Sequence, residues 1–509
     1  MIDILFINPT DRTGLYQGLA EDLSAIEPPT WALLLAESVR SQGGVPFILD
    51  LNVEFLENEA LKVRVNDLNP RLICFVVYGQ NVNAGAANMS GAVKIANFLK
   101  KNTDYPISVI GSYVQALPVK CLKDEGSFDF GFTNEGVYAL WNVLKLKSFT
   151  PGDLKKIKGI VFRDGNKIIM NEPEIVVPTE RMDSDLPGYA WDLLPFKNRP
   201  LDLYRSPLWH AEYDPEKRSP YAAIQTSLGC NFGCAFCMIN IINRSDNEEV
   251  GVASNYSRMR FWSPEFMIKQ FDLLNQMGVE TIKITDEMFL LHRKYYVPLC
   301  QELSSRSYAN TLRMWAYSRI DTITNPEYLR LVRGAGIKWL ALGIESANKS
   351  VRLEVSKGKF EDVDIRKVIN QVHESGIEVM ANYIVGLPGE KLSNMQETLD
   401  LSIELCTSGW NMYAATALPG SELYKKNLEN GSQVPQKYLE YSFHSYESRP
   451  MGNENLSAKE VLAFRDMAFK RYHSHPNFIR RIKDKFSEKA VNSIESTLSI
   501  NLERKILDD

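Results

Sequence analysis

From Tyr221 onward the chain alternates a short apolar run with a helix-compatible stretch, and it does so six times. The runs cover residues 222–227, 281–285, 313–317, 339–343, 379–385 and 412–417. Ser263-Pro264 supplies an N-cap and a first-turn proline to one intervening helix. Residues 326–335 and 362–375 carry apolar side chains at helical spacing, and Gly334, Gly336 and Gly376 mark helix ends. Few folds accept this rhythm. Six β/α units predict a barrel or partial barrel, whose chemistry sits at the carboxyl ends of its strands.

Three cysteines directly follow the first run, in Gly229-Cys-Asn-Phe-Gly-Cys-Ala-Phe-Cys-Met238. Thiolates spaced C-x3-C-x2-C can converge on one soft metal centre, because cysteine sulfur holds Fe–S clusters. A [4Fe–4S] cube held by Cys230, Cys234 and Cys237 leaves one iron open to a small molecule, which suggests catalysis rather than electron storage. A structural zinc site closes with four ligands. Here Cys74, Cys121, Cys300 and Cys406 are scattered singly, and no histidine follows Cys237 within twenty residues. Seven cysteines in 509 residues are too sparse, and odd in number, for a disulfide framework.

The other strand ends of the barrel also carry polar or glycine signatures. These are Thr285-Asp286-Glu287, Ser318-Arg319, Gly343-Ile-Glu345-Ser346, Gly386-Leu-Pro-Gly-Glu390 and Ala417-Leu-Pro-Gly-Ser421-Glu422. Any one of them could be an ordinary turn. In phase at one barrel mouth, they would set hydroxyls and carboxylates around the thiolates.

The N-terminal third shows a second alternation. Apolar runs at 2–8, 45–51, 72–78, 107–111 and 128–133 are interleaved with helical patterns such as 31–42 and 89–101. A parallel sheet covered on both faces fits that pattern, and the prediction is a doubly wound, Rossmann-like domain over residues 1–150. Its strand ends carry Asn8-Pro9-Thr10, Asp50, Gly79-Gln80-Asn81, Gly111-Ser112 and Glu135-Gly136, small and polar enough for a crevice that takes a large planar cofactor, although on the residues alone Gly and Asn there are read first as turning the chain. All six histidines, His210, His292, His373, His444, His473 and His475, lie later, so this domain offers a metal no imidazole. Residues 151–220 read as a linker, with a hairpin around Asp164-Gly165 and a Pro- and Asp-rich stretch from Pro178 to Pro200. The fold class is therefore α/β, with the partial (β/α)6 TIM-like barrel over 221–425 and a mainly helical extension over 426–509.

Composition excludes several classes. With 44% hydrophobic and 24% charged residues, the chain reads as soluble and globular. Its net charge of −5 gives no reason to expect nucleic acid as a partner. No apolar stretch approaches a membrane span, and the first residues lack a basic leader. Free thiols and an oxygen-sensitive cluster suit the cytoplasm.

These residues resemble the radical S-adenosylmethionine (SAM) superfamily. The resemblance covers most of the chain and is narrowest to the branch with an N-terminal cobalamin-binding domain, the class B methyltransferase-like enzymes. The cysteine loop with Phe236 before its last cysteine matches the superfamily signature. Gly343-Ile-Glu-Ser346, Ile384-x-Gly-Leu-Pro-Gly-Glu390 and Leu418-Pro-Gly-Ser-Glu-Leu423 resemble its fourth-, fifth- and sixth-strand motifs. Asn8-Pro9, Pro28-Pro29, Gly111, Asn134-Glu135-Gly136 and the run Pro187 to Leu194 resemble the cofactor domain and its linker. The resemblance implies a cluster on the three cysteines, with SAM on the open iron. It also implies SAM contacts from Phe236, Asp286, Glu287, Glu345, Ser346 and Gly386. Asn8, Gly111, Ser112, Glu135 and Gly136 would face cobalamin. The D-x-H-x-x-G motif that gives cobalt a histidine is absent, which puts cobalamin in doubt. Asn382 and Ser421 stand where a glycine and a threonine are usual.

The implied reaction is reductive cleavage of SAM to a 5′-deoxyadenosyl radical that functionalises an unactivated carbon, by methylation if methylcobalamin is bound. A non-methylating cyclisation, rearrangement or oxidation is the alternative. An iron–sulfur electron-transfer or sensor protein is the reading from another class. The expected partners are a small-molecule or biosynthetic-intermediate substrate and an external one-electron reductant. Arg258, Arg260 and Trp262 are expected on an exposed loop. Arg480, Arg481, Lys483 and Lys485 are expected on a solvated helix face, with His473 and His475 as possible substrate contacts.

Overall fold

The computed structural model describes residues 2–21, 23–79, 82–195, 204–206, 220–323, 325–355 and 363–508. Gln80, Asn81, His210 and residues 196–203 and 207–219 of the linker lie outside the described residues.

The first sheet has seven strands in the order β2-β1-β3-β4-β5-β6-β7. Its strands are β1 (Ile4–Asn8), β2 (Pro46–Asp50), β3 (Ile73–Val77), β4 (Ile107–Gly111), β5 (Phe130–Phe132), β6 (Ile160–Asp164) and β7 (Lys167–Met170). β1 to β5 are parallel and β6 and β7 antiparallel. Helices Thr30–Ser41 and Gly85–Asn102 cover the sheet, so β3 and β4 are buried along their whole length. Two covered faces demand continuous apolar runs, which is what the sequence shows there. The hairpin expected within the linker forms instead the antiparallel edge of this sheet, with Phe130 opposite Phe162.

The second sheet is a half-barrel of six parallel strands in the order β8-β11-β12-β13-β14-β15. These are β8 (Tyr221–Ile224), β11 (Thr281–Ile284), β12 (Arg313–Arg319), β13 (Ile337–Glu345), β14 (Glu378–Val385) and β15 (Gly409–Ala414). Between β8 and β11 the chain forms a small ribbon, in which β9 (Ser227–Cys230) pairs antiparallel with β10 (Arg258–Phe261). The run expected as one strand over 222–227 is therefore broken after Ile224. Asp286 breaks it: its carboxylate accepts hydrogen bonds from the Thr226 N–H and from the Thr226 and Ser227 hydroxyls, each at 2.6 Å. Ser263 caps the following helix, Pro264–Gln276, by accepting from the Phe266 N–H at 3.1 Å.

Side chains alternate along a strand, so one register faces into the half-barrel. Trp315, Trp339, Ala341 and Met380 meet there as an apolar floor. Lys283 lies beside them, its ammonium 5.0 Å from the Trp315 ring and 2.6 Å from the Glu27 carboxylate of the N-terminal domain.

Two expectations about exposure are corrected. Arg260 and Trp262 are only 3% and 1% exposed, not on a solvated loop. Arg260 pairs with Glu135 at 2.6 Å, and the Trp262 indole donates to the Leu186 carbonyl at 2.7 Å. In the C-terminal helices Ala458–His473 and Pro476–Lys485, Arg481 and Lys485 grip Glu378 on the amino end of β14. That basic face is therefore partly embedded. His473 is buried among Trp410, Tyr472 and Phe478, and His475 caps helix Pro476–Lys485. Neither histidine reaches the carboxyl ends of the barrel strands.

Candidate functional site

The thiol loop starts at the last residue of β9 and is held from several sides. The Cys230 N–H donates to Asn240 Oδ1 at 2.8 Å. Ala235 donates to Val355 O at 2.9 Å and accepts from the Leu423 N–H at 3.0 Å, so the loop is tied to segments after β13 and β15. Asn83 of the N-terminal domain accepts from the Met238 N–H at 3.1 Å and lies 4.0 Å from Cys237 Sγ. Arg319 at the end of β12 lays its guanidinium 3.8 Å from the Phe232 ring centroid, with Nη1 3.9 Å from Cys234 Sγ and a 2.6 Å ion pair to Asp321. Phe236 packs with Ile384 against Val351, Val355, Leu387 and Ala415, below the loop.

The donor set fits a cluster. Burial pushes the Cys230 thiol up to about 12 and the Cys237 thiol well above its ordinary value, and the neighbouring Cys234 raises both further. Buried thiols of this kind stay protonated until a metal supplies the compensating positive charge. Backbone N–H groups already point at the sulfurs, Phe232 at Cys230 (3.4 Å) and Ile239 at Cys237 (3.5 Å), as in Fe–S sites. Among the described residues no three His, Cys, Asp or Glu side chains lie close enough to share a single ion.

The other expected SAM residues divide. Glu287 lies with Glu27, Thr30, Trp31, Tyr78 and Gln225 around a small cavity between the two domains. Burial, then the adjacent Asp286, pushes its carboxyl up to about 8. Glu345 ends β13 at a register shift, with φ of 64°, and its carboxylate folds back over Gly343. A left-handed non-glycine residue is strained and needs surrounding support. Burial pushes its carboxyl up to about 7, against the opposing charge of Arg319. Asp286 is engaged by the turn after β8. Ser346 is fully buried, 3.2 Å from the Thr398 hydroxyl and accepting from the Asn348 N–H. Gly386, at φ 82°, faces helix Ala458–His473, where an added Cβ would come within 2.5 Å of Val461 Cγ1. That helix fills the space on its Cβ side. The Gly386 and Leu387 N–H groups donate to the buried Glu390 carboxylate at 2.6 and 3.1 Å.

The five residues expected to face cobalamin are mostly used in packing. Asn8 donates to Asp50 at 2.8 Å. Glu135 accepts from the Val177 N–H at 2.5 Å and from Arg260, while its own N–H donates to the Ile242 carbonyl. Gly111 and Gly136 press on Val77 and Ile110. Ser112 is different: its buried hydroxyl has no partner among the described residues. Gln225 Oε1, beside the cavity between the domains, also has none among them. Both fit a polar ligand lying along the carboxyl ends of the first sheet.

Sequence reading missed Asn83, Asn240 and the Glu27–Lys283 pair. A lysine within the short buried strand Thr281–Ile284 was the available signal for the last. A groove of about 610 Å³ also runs along the outside of the thiol loop, past Ala235, Val355, Lys426, Arg449 and Glu454.

Comparison with known proteins adds a family. Residues 224–402 match the model described as the Radical SAM superfamily. The chain is 22% identical over 476 residues to an anaerobic magnesium-protoporphyrin IX monomethyl ester cyclase of Cereibacter sphaeroides, covering 90% of this chain and 68% of that one. It is 22% identical to an uncharacterized methyltransferase of Pyrococcus horikoshii, covering 82% of each. Among solved structures it resembles TsrM from Kitasatospora setae, a radical SAM methyltransferase, at 16% identity. With tryptophan and a SAM analogue bound, TsrM gives a TM-score of 0.67 over 100% of this chain and 97% of that one. With cobalamin and a [4Fe–4S] cluster bound, it gives 0.61 over 87% and 81%. The shared fold is the parallel N-terminal sheet, the six-stranded half-barrel and the C-terminal helices.

Proposed function

The half-barrel of this chain belongs to the radical SAM superfamily, and from that premise we propose that the protein is a cobalamin-dependent radical SAM enzyme acting at an unactivated carbon, by methyl transfer. One observation carries the reading: three thiols, one buried and two half-buried, are gathered in a single loop at the carboxyl end of the half-barrel, with backbone N–H groups aimed at two of them. Cys230, Cys234 and Cys237 would hold the [4Fe–4S] cluster. Bound there with SAM, the cluster would supply the electron for reductive cleavage of the carbon–sulfur bond of SAM.

The chain's own residues orient and enclose. Arg319 and Asn83 fix the loop from two domains, so the thiols are preorganised rather than gathered at each turnover. Glu345 and Glu287, whose carboxyls burial raises to about 7 and about 8, can exchange hydrogen bonds with a ligand ribose. Phe236 and Ile384 give the space beneath an apolar edge. The groove at Ala235 brings the outer side of the loop to the surface, where a one-electron reductant can approach.

Cobalamin, when bound along the first sheet near Ser112 and Gln225, supplies a transferable methyl group. The relative named as a cyclase supports a second reading, in which the substrate radical closes a ring or is oxidised instead.

Anaerobically reconstituted protein given SAM and dithionite should form 5′-deoxyadenosine, and failure to do so would remove the proposal. Retention of hydroxocobalamin by the purified protein tests the methyl-transfer part separately. Its loss leaves the second reading.

A further inference from the structure

The half-barrel contains a chamber lined mostly by residues that the cofactor reading does not use. At the carboxyl halves of β12 to β15 most side chains are buried, and the half-buried ones include Tyr317, Glu345, Asn382, Ile384, Asn411 and Tyr413. All of these fall on the inward register: Tyr317 lies two residues beyond Trp315, and Asn382 two beyond Met380, both floor residues. Asn411 and Tyr413 sit opposite Asn382 and Ile384 in the parallel pairing of β14 with β15. Partial exposure confined to one face of otherwise buried strands marks an internal space that water reaches. Its floor is the Trp315–Met380 cluster, and Phe236 and Ile384 stand toward the thiol loop. Phe443 covers Tyr413 at 5.1 Å between ring centroids.

The wall has a distinct chemistry. Two cations are matched one to one, Lys283 by Glu27 at 2.6 Å and Arg319 by Asp321 at 2.6 Å, while Arg465 and Arg504 share Asp466, each at 2.8 Å. A phosphate or carboxylate entering here would meet only cations that already have a carboxylate partner, and burying it would be unfavourable. Neutral hydrogen-bonding groups, in contrast, are left over. The Tyr413 hydroxyl makes no hydrogen bond among the described residues, although Tyr413 lies near Tyr317, Lys283 and Glu345. Asn411 donates to Asn382 Oδ1 at 3.0 Å, while its own Oδ1 accepts nothing among them. Phenol hydroxyls and carboxamides both donate and accept, which is what hydroxyl groups on a ligand require. The faces of Tyr317 and Tyr413 suit the C–H faces of a saturated ring.

We propose that this chamber holds the reacting part of the substrate as an uncharged, hydroxyl-rich ring, a sugar unit, with Tyr413 and Asn411 as its specificity-determining contacts. The inference rests on the radical SAM reading, since it takes the chamber below the thiols to be the substrate's place. The two fail separately, because 5′-deoxyadenosine formation by the wild-type protein without any sugar tests only the radical reading.

The test is saturation-transfer NMR on the reconstituted holoenzyme with SAM. The probes are a panel of methyl glycosides, the matching sugar phosphates, tryptophan and coproporphyrin. The expected result is transfer to the ring protons of at least one glycoside, bound roughly tenfold more tightly than its phosphate. Tyr413→Phe or Asn411→Asp should weaken that binding by roughly tenfold, the loss of one hydrogen bond. Unchanged melting temperatures confirm that the variants are folded, and the two substitutions guard against failure of either one. Tighter binding of the phosphates, tryptophan or coproporphyrin, no binding of any glycoside, or glycoside binding unaffected in both folded variants would overturn the proposal.

Discussion

Replacing Glu135 by alanine decides between two roles for that residue. In the structure its carboxylate is fully buried and joins the N-terminal domain to the ribbon that carries Cys230. It accepts from Arg260 Nη2 at 2.6 Å and from the Val177 N–H at 2.5 Å. Among the described residues the guanidinium retains only the Val177 carbonyl at 2.7 Å and Asn243 Oδ1 at 2.9 Å once Glu135 is gone. An unpaired cation, 3% exposed, is left in the interface. Breaking one side of a buried ion pair costs about 3–5 kcal/mol, because the remaining charge stays desolvated. Glu135→Ala should therefore destabilise the apo-protein by about that amount, read by urea unfolding with tryptophan fluorescence, to which Trp262 contributes from the same interface. Adding Arg260→Met removes the stranded charge and should restore most of the loss, giving a large coupling in the double-mutant cycle. A loss below about 1 kcal/mol, or additive losses, would refute the interlock. Lost hydroxocobalamin binding with unchanged stability would return Glu135 to the cofactor.

Three further outcomes follow from the same geometry. Asp286→Ala removes an acceptor of three hydrogen bonds, so it should cost about 2–5 kcal/mol and lower the iron incorporated on reconstitution, measured by unfolding and by iron analysis. Gly386→Ala should destabilise the fold through Val461 and its positive φ while sparing SAM affinity in whatever protein folds, measured by calorimetry. Burial raises the Glu345 and Glu390 carboxyls to about 7 from an ordinary 4.5, so between those pH values the folded state holds protons that the unfolded chain has released. Stability should then fall as pH rises through that window, by up to about 3 kcal/mol per group, and Glu390→Gln should flatten the melting-temperature profile of the apo-protein.

Much of the fold was legible because buried parallel strands write themselves as unbroken apolar runs. Ile73–Val77 and Ile107–Gly111 are such runs, and the structure alters their expected ends by a residue at most. The ribbon was not legible. Arg258-Met-Arg260-Phe looks solvated until Glu135, 125 positions away, neutralises Arg260. Lys283 is buried for the same reason, its partner Glu27 lying 256 positions away. Local pattern carries no information about such pairings. In the site, the cysteine loop could be read from spacing alone. Which polar strand ends turn inward could not, since Asp286 and Ser346 differ from Glu287 and Glu345 only in the direction the chain takes after each strand. Gly386 shows the same limit, because its open face is filled by a helix that begins at Ala458.

The most direct measurement is Mössbauer and EPR spectroscopy on protein reconstituted anaerobically with isotopically enriched iron, before and after SAM is added. A cubane should form with one iron unlike the others, its signal should change on adding SAM, and Cys234→Ala should abolish it. Zinc in place of iron, no cubane, or a spectrum indifferent to SAM would contradict the account.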